Sequence, residues 1–279
     1  MTGQLHLGPT TLAYDTLPAT SQSGTGRVPF IFQHGMGGNI AQPFGYVGDE
    51  PAVPLACLSA RGHAPSDDLT DPAVATFDRF ADDVIALADQ LELPRFVIGG
   101  ISLGAGTALN LALRYPDRVT GLVLCRPAWL DRPQDEFNQA AYREIADLLD
   151  EAAVAGDSIG EIADRYQESD TYRQVRAVSP AAAASLLGQL TRPRAAANTL
   201  LLRAFPAGSP SVDAATWGTI DVPTLVIGHR DDPFHPYEIA ERYAAAIPTA
   251  ELVTVPSKDA DLVGFTTQIR AALDVFLRT

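Results

Sequence analysis

The chain has 279 residues, of which 46% are apolar, and its formal charge is −14. This length suits one large domain with an insertion, or two domains. The excess of carboxylates disfavours binding to the phosphates of nucleic acids and to anionic membrane surfaces. No apolar run approaches the roughly 18 residues of a membrane helix, and no signal peptide is visible, so we expect a soluble, cytoplasmic protein.

Short apolar runs alternate with amphipathic segments along the chain, which predicts strands separated by helices. The strand-like runs are residues 28–33, 53–58, 96–99, 119–124, 224–228 and 251–255. The helical patterns are residues 77–91, 103–115, 237–247 and 262–277. Consecutive apolar positions are typical of parallel strands buried on both faces. The sequence therefore predicts an α/β fold with a mostly parallel sheet and helices on both faces.

Three further segments depart from this alternation. Residues 4–7 and 11–14 predict an antiparallel hairpin at the sheet edge, and the Ser/Gly/Thr run at 20–26 predicts a loop. Residues 129–215 contain no strand-like run; their helical patterns cover 136–155, 159–166 and 180–190. We interpret 129–215 as a helical cap inserted into a core of 1–128 and 216–279, above the carboxyl ends of the strands.

Two glycine-rich motifs follow predicted strands. In G100-I-S-L-G104 the glycines allow a tight strand-to-helix turn that exposes the hydroxyl of Ser102, which favours a nucleophile over a helix-capping serine. In H34-G-M-G-G38 the glycines let the backbone turn so that amides face a developing oxyanion. The amides that fit are those of Met36 and Leu103, whereas His34 is interpreted as structural.

With these motifs the sequence resembles the α/β-hydrolase fold family, and L58-S-A-R-G-H63 is similar to the family's Arg-Gly-His loop. The resemblance covers nearly the whole chain and implies an eight-stranded sheet with a helical cap. It also implies a serine nucleophile at Ser102 and an oxyanion hole formed by the Met36 and Leu103 amides. The acid maps onto Asp231 or Asp232, and the family spacing to Pro236 favours Asp232.

The sequence departs from the family pattern at the base, because no histidine follows the strand at 251–255. Lys258, the only lysine in the chain, lies in that loop. As a base it would need a pKa lowered by about three units, and a nearby Asp232 would oppose that shift. His235 is the alternative base. Its position three residues after Asp232 is unfavourable, since acid and histidine normally come from different loops.

Two residues past the strand at 119–124 are candidates for binding substrate. Arg126 could hold a carboxylate by a two-pronged contact, or pair with Asp131 or Asp135 in the insertion. Trp129 is expected at the hinge and roof of the pocket, together with Leu130.

These residues predict a hydrolase that acts on a small ester, amide or related carbonyl compound, with an atypical triad and no metal or organic cofactor. The alternative is a lyase, an isomerase or a ligand-binding protein that kept the pocket without a proton-shuttling triad.

Overall fold

The structure is a computed structural model that describes residues 2–19 and 27–279. The loop predicted at 20–26 lies outside the described residues. Eight strands form one sheet: β1 (Thr2–Leu7), β2 (Thr10–Leu17), β3 (Phe30–Gln33), β4 (Leu55–Leu58), β5 (Phe96–Ile101), β6 (Val119–Cys125), β7 (Thr224–Gly228) and β8 (Ala250–Thr254).

The sheet has the strand order β1-β2-β4-β3-β5-β6-β7-β8. The β1–β2 hairpin pairs antiparallel to β4 at one edge, and all other neighbours are parallel. The strands β3, β4 and β7 are buried at every position, as their continuous apolar runs predicted. The mostly parallel eight-stranded sheet is therefore confirmed.

Ten α-helices connect or cover these strands in the described part of the chain. They are α1 (Ala41–Val47), α2 (Phe77–Gln90), α3 (Leu103–Arg114), α4 (Glu136–Ala155), α5 (Ile159–Gln167), α6 (Asp170–Val178), α7 (Pro180–Thr191), α8 (Thr199–Ala207), α9 (Tyr237–Ala246) and α10 (Leu262–Arg278). The hydroxyl of Thr76 caps α2 by accepting the amide of Arg79 at 3.2 Å. Helix α3 follows β5 almost directly, and α9 follows β7 after the loop 229–236. The residues before both helices therefore lie at the carboxyl ends of these strands.

The segment between β6 and β7 contains helices α4–α8 and no strand, and every residue of it is described. Its buried side chains form a separate apolar cluster that includes Ile145, Ile162 and Leu186. The sequence did not predict α6 or α8. Few side chains of α6 are apolar, and only Tyr172 and Val175 are buried, while α8 contains Pro206, which argues against a helix.

The two cysteines, Cys57 and Cys125, are free and fully buried. None of the helices among the described residues combines the length and apolar character needed to cross a bilayer.

Candidate active site

Ser102 occupies the turn between β5 and α3 with a φ of 54° and a ψ of −111°, a conformation that non-glycine residues rarely adopt. The flanking glycines make this turn possible. A Cβ on Gly100 would lie 2.1 Å from the backbone carbon of Gly104, and one on Gly104 would lie 2.5 Å from the carbonyl oxygen of Gln33. The motif therefore presents Ser102 at the start of α3.

The loop after β3 carries the amide of Met36, and two histidines fix its shape. His34 contacts the carbonyl of Gly35 through Nδ1 at 2.9 Å and accepts the amide of Ala60 through Nε2 at 3.0 Å. His63 accepts the amide of Gly37 at 3.0 Å. Burial lowers the pKa of His34 to about 4 and that of His63 well below its usual value, so both rings are neutral near pH 7. His34 is structural, as the sequence predicted.

The amides of Met36 and Leu103 have no hydrogen-bond partner among the described residues. Leu103 is the first residue of α3, where the unpaired amides and the helix dipole favour negative charge. A Cβ on Gly35 would lie 3.5 Å from Cβ of Ser102, so this loop runs directly beside the serine. Two unpaired donors are thus available on the loop and the helix start that flank the Ser102 side chain.

His235 lies between Ser102 and Asp232. Its Nε2 is 2.9 Å from the hydroxyl oxygen of Ser102, and its Nδ1 is 2.9 Å from Oδ2 of Asp232. Asp232 is buried, whereas Asp231 is exposed and has a φ of 63°. The objection that acid and histidine should come from different loops does not hold here.

A tight turn explains how two residues so close in sequence reach each other. Oδ1 of Asp232 accepts the amides of Phe234 at 3.1 Å and His235 at 3.2 Å, which folds the loop over the carboxylate. The second oxygen stays free to meet the imidazole. The loop between β7 and α9 therefore supplies both side chains.

Arg126, at the end of β6, is paired with Asp232 rather than with the insertion. Its terminal nitrogen donates to Oδ2 of Asp232 at 2.5 Å and lies 3.0 Å from Nδ1 of His235. The expected partners are engaged elsewhere: Asp131 accepts an amide of the segment before β7, and Asp135 caps α4. The predicted pairing of Arg126 with Asp131 or Asp135 is wrong, because the nearer buried carboxylate is that of Asp232.

These contacts determine the charges of the acid and the histidine. Burial raises the pKa of Asp232, but His235, His229 and Arg126 outweigh that effect and hold it well below its usual range. Burial, and then the positive charge of Arg126, lower the pKa of His235 to about 4 despite the nearby carboxylate. Near pH 7 the site therefore contains an ionised Asp232 and a neutral His235.

Lys258 lines the same cavity as His235 and Asp232 but is not bonded to Ser102 or Asp232. It forms no hydrogen bond and no ion pair with any described residue, and its Nζ lies 5.2 Å from the ring centre of Phe265. Burial, followed by the charge of Arg126, lowers its pKa to about 8, so the ammonium is mostly protonated at neutral pH. The structure brings His235, and not Lys258, to the serine.

Trp129 is buried in an apolar cluster that also contains Leu103 and, at its edge, Met36. Its Nε1 donates to the carbonyl of Phe205 at 2.9 Å, and its ring meets Phe77 edge to face. Leu130 packs into the main core. Neither is among the described residues that line the cavity beside His235. The roof position of Trp129 and Leu130 therefore stays a prediction.

The cavity beside His235 has a volume of about 30 Å³, enough for one water molecule. The insertion supplies much of its wall through Tyr142 on α4 and Gln189 on α7, neither of which the sequence singled out. Gln189 also donates from Nε2 to the carbonyl oxygen of Met36 at 3.1 Å.

No group of three or more His, Cys, Asp or Glu side chains that could hold a metal ion occurs within residues 2–19 and 27–279.

Comparison with known proteins places this geometry in a family. A profile of the alpha/beta hydrolase fold family matches residues 28–262. A 3-oxoadipate enol-lactonase from Acinetobacter baylyi is 32% identical over 105 residues, covering 37% of this chain and 38% of the relative. A 2-hydroxymuconate semialdehyde hydrolase from a Pseudomonas species is 30% identical over 193 residues, covering 65% of this chain and 62% of the relative. The chain thus spans less than two thirds of the length of both relatives.

The crystal structure of an enol-lactonase from Burkholderia xenovorans superposes with a TM-score of 0.74 at 18% identity, covering 99% of this chain and 100% of that one. A hydrolase structure from Pseudomonas aeruginosa gives a TM-score of 0.72 at 24% identity, covering 100% of this chain and 98% of that one. At these identities the likeness concerns the fold alone. Together with the family profile, it shows that this chain belongs to the alpha/beta hydrolase fold family.

Proposed function

We propose that this protein is a serine hydrolase that cleaves a small ester, lactone, amide or related carbonyl compound, with Ser102, His235 and Asp232 as its triad. The observation that carries the proposal is the continuous chain of contacts from Ser102 through His235 to Asp232, with 2.9 Å at each step. A serine hydroxyl is a poor nucleophile by itself, and an adjacent oriented base activates it.

In the proposed reaction, Nε2 of His235 takes the proton of Ser102 while the serine oxygen attacks the carbonyl carbon. The amides of Met36 and Leu103 stabilise the negative oxygen that forms. The imidazolium then gives its proton to the leaving group, and an acyl-serine remains. Water, activated by the same imidazole, attacks this acyl group and releases the acid, which restores Ser102 and neutral His235.

This mechanism requires the proton of neutral His235 to sit on Nδ1, because Nε2 must accept from Ser102. Arg126 and Asp232 both approach Nδ1. The guanidinium can only donate, and the ionised carboxylate can only accept. The attraction of the negative carboxylate for an N–H favours the Nδ1 proton. Arg126 then serves as a positioning residue that holds Asp232 in place.

Two features favour His235 over Lys258 as the base, and a third favours a small carbonyl substrate. The His235 ring is neutral at neutral pH, as a general base must be. Lys258 is largely charged at that pH and does not contact the serine. The relatives named above include a lactonase and a semialdehyde hydrolase, which favours a small carbonyl substrate. We further propose that residues 129–215 act as the cap that closes on it.

The test is covalent labelling with a fluorophosphonate, combined with hydrolysis of a short-chain p-nitrophenyl ester. We expect the wild type to be labelled and to turn over the ester, and Ser102→Ala to do neither. Ser158→Ala, at an exposed helix cap in the insertion, is the matched control and should behave as the wild type. If the wild type is neither labelled nor active, the hydrolase proposal fails and the lyase, isomerase or binding alternative replaces it.

A further inference from the structure

Arg192, the residue directly after α7, carries a buried charge without a counterion among the described residues. All three of its guanidinium nitrogens are shielded from solvent, and none has a hydrogen-bond partner among the described residues. It forms no ion pair within residues 2–19 and 27–279 either. Only its backbone is engaged, because its amide donates to the carbonyl of Gly188 at 3.2 Å.

Such an arrangement is unfavourable in a folded protein, and the other buried arginines avoid it. Arg61 pairs with Asp83, and Arg126 pairs with Asp232. Burial lowers the pKa of Arg192 to about 10, so it still carries its charge at neutral pH. Since burying an unpaired charge strongly disfavours the folded state, its retention suggests that the missing partner is a ligand.

The position of Arg192 connects it to the candidate active site. Arg192 is not itself among the residues that line the cavity, but Leu186 and Gln189 of the preceding helix are. Tyr142 also lines the cavity, and the charge of Arg192 opposes the rise in its pKa that burial causes. Three residues before Arg192, Gln189 contacts the carbonyl oxygen of Met36. The carboxyl end of α7 therefore brings an unpaired cation to the side of the site that carries the proposed oxyanion donor.

We propose that Arg192 binds a free carboxylate of the substrate, so that the compound cleaved is an ester or lactone with a second, ionised acid group. This inference rests on the proposed function and specifies its substrate class. The planar guanidinium fits a carboxylate by two parallel hydrogen bonds. The single positive charge of one arginine balances the single negative charge of a carboxylate, whereas a phosphate monoester carries about two negative charges. The neutral His34 and His63 add no positive charge beside it.

The kinetic test uses two esters that differ only in charge. In p-nitrophenyl hemisuccinate the carboxylate takes the place of the isopropyl group of p-nitrophenyl 4-methylpentanoate. We expect the wild type to prefer the hemisuccinate, and Arg192→Met to lose roughly 30-fold in kcat/KM for it, as for the loss of a hydrogen bond to a charged group. Activity on the neutral ester should persist in that variant.

Two further variants make the kinetic result specific. Arg192→Lys should retain an intermediate preference for the hemisuccinate. Arg176→Met removes an exposed arginine of the same insertion and should leave both activities unchanged. Equal rates for the two esters in the wild type, or an unchanged preference in Arg192→Met, would overturn the assignment of Arg192 while leaving the serine hydrolase proposal intact.

A thermal measurement keeps the two proposals separable and does not require turnover. Arg192→Met should melt at a higher temperature than the wild type, since it removes an uncompensated buried charge. Succinate should raise the Tm of the wild type and of Ser102→Ala but not that of Arg192→Met, and inorganic phosphate should raise none of them. A lower Tm for both Arg192→Met and Arg192→Gln, or stabilisation of Arg192→Met by succinate, would show that Arg192 is structural.

Discussion

The imidazole of His235 lies 2.9 Å from the hydroxyl of Ser102, although the two residues are 133 positions apart and His235 follows Asp232 by three. One turn of the loop between β7 and α9 therefore presents both an acid and a histidine to the serine. The loop after β8, where the sequence suggested Lys258, forms no hydrogen bond with the Ser102 side chain among the described residues.

Replacing the two candidate bases separately should identify the proton carrier. We expect His235→Ala to lower kcat by about 10³-fold, the usual loss when a general base is removed. Lys258→Met should keep kcat within about threefold, because its ammonium contacts neither the serine nor the acid. The measurement is steady-state hydrolysis of the neutral p-nitrophenyl ester. Full activity in His235→Ala would refute the triad proposed here.

Asp231 and Asp232 are adjacent in sequence, so the same substitution at each can be compared directly. Asp232→Asn should lower kcat by about 10²- to 10⁴-fold, because an amide cannot fix the Nδ1 proton of His235 in the same way. Asp231→Asn should retain wild-type kcat, since Asp231 is exposed and asparagine tolerates its φ of 63°. Circular dichroism of both variants checks that they fold. The reverse order of activities would make Asp231 the acid.

The pH dependence of kcat/KM should reflect the lowered pKa of His235. A base acts when it is neutral, so activity should rise as the pH passes upward through the pKa of His235 in the free enzyme, which burial and Arg126 lower to about 4. We expect the acid limb near pH 4, below the ordinary histidine value of about 6.5. A limb at or above that value would contradict the neutral, buried ring described here. A substrate whose own ionisation lies outside this range is required.

Stability should fall in acid because of the buried histidines of the Met36 loop. In the unfolded chain a histidine binds its proton below about pH 6.5, whereas the folded pKa of His34 is about 4. Between these values the unfolded state binds more protons, so the free energy of unfolding decreases as the pH falls through this window. Thermal melts from pH 7 to 4 should show this decrease, and His34→Gln should show a smaller one. If Tm fell equally with pH in the wild type and in His34→Gln, His34 would not contribute to the loss of stability in acid.

The turn at Ser102 should tolerate no side chain at Gly100. Gly100→Ala places a methyl group against the backbone of Gly104 and should reduce the free energy of unfolding by at least about 2 kcal/mol. Gly188→Ala is the control: apart from its own helix backbone and chain neighbours, no atom lies within 4 Å of its would-be Cβ. An alanine at this position of α7 should increase stability by about 1 kcal/mol. Denaturant titrations measure both changes.

The sequence predicted the parts of the molecule that depend on local pattern. The continuous apolar runs located the parallel strands, and the glycines around Ser102 and Met36 indicated turns that position these residues. The spacing to Pro236 favoured Asp232, which the structure places next to His235. These features depend on residues within one short segment or on the periodicity of one element.

The remaining features depend on contacts that no local pattern indicates. The orientation of His235 follows from two amides folding onto Oδ1 of Asp232, a backbone detail of one turn. Arg126 meets a carboxylate 106 positions away, and Trp129 meets Phe205, which is 76 positions away. Arg192 belongs to no sequence motif, and only its lack of a side-chain partner among residues 2–19 and 27–279 distinguishes it.

The short loop that holds both Asp232 and His235 has a mechanical consequence. When an acid, a base and a nucleophile come from three separate segments, the acid–base distance and the base–nucleophile distance vary independently as the segments move. Here the internal turn fixes the acid–base distance, so the motion of the loop relative to α3 changes only the gap between His235 and Ser102. Assembly of the site is thereby reduced to a single distance, the one between His235 and Ser102.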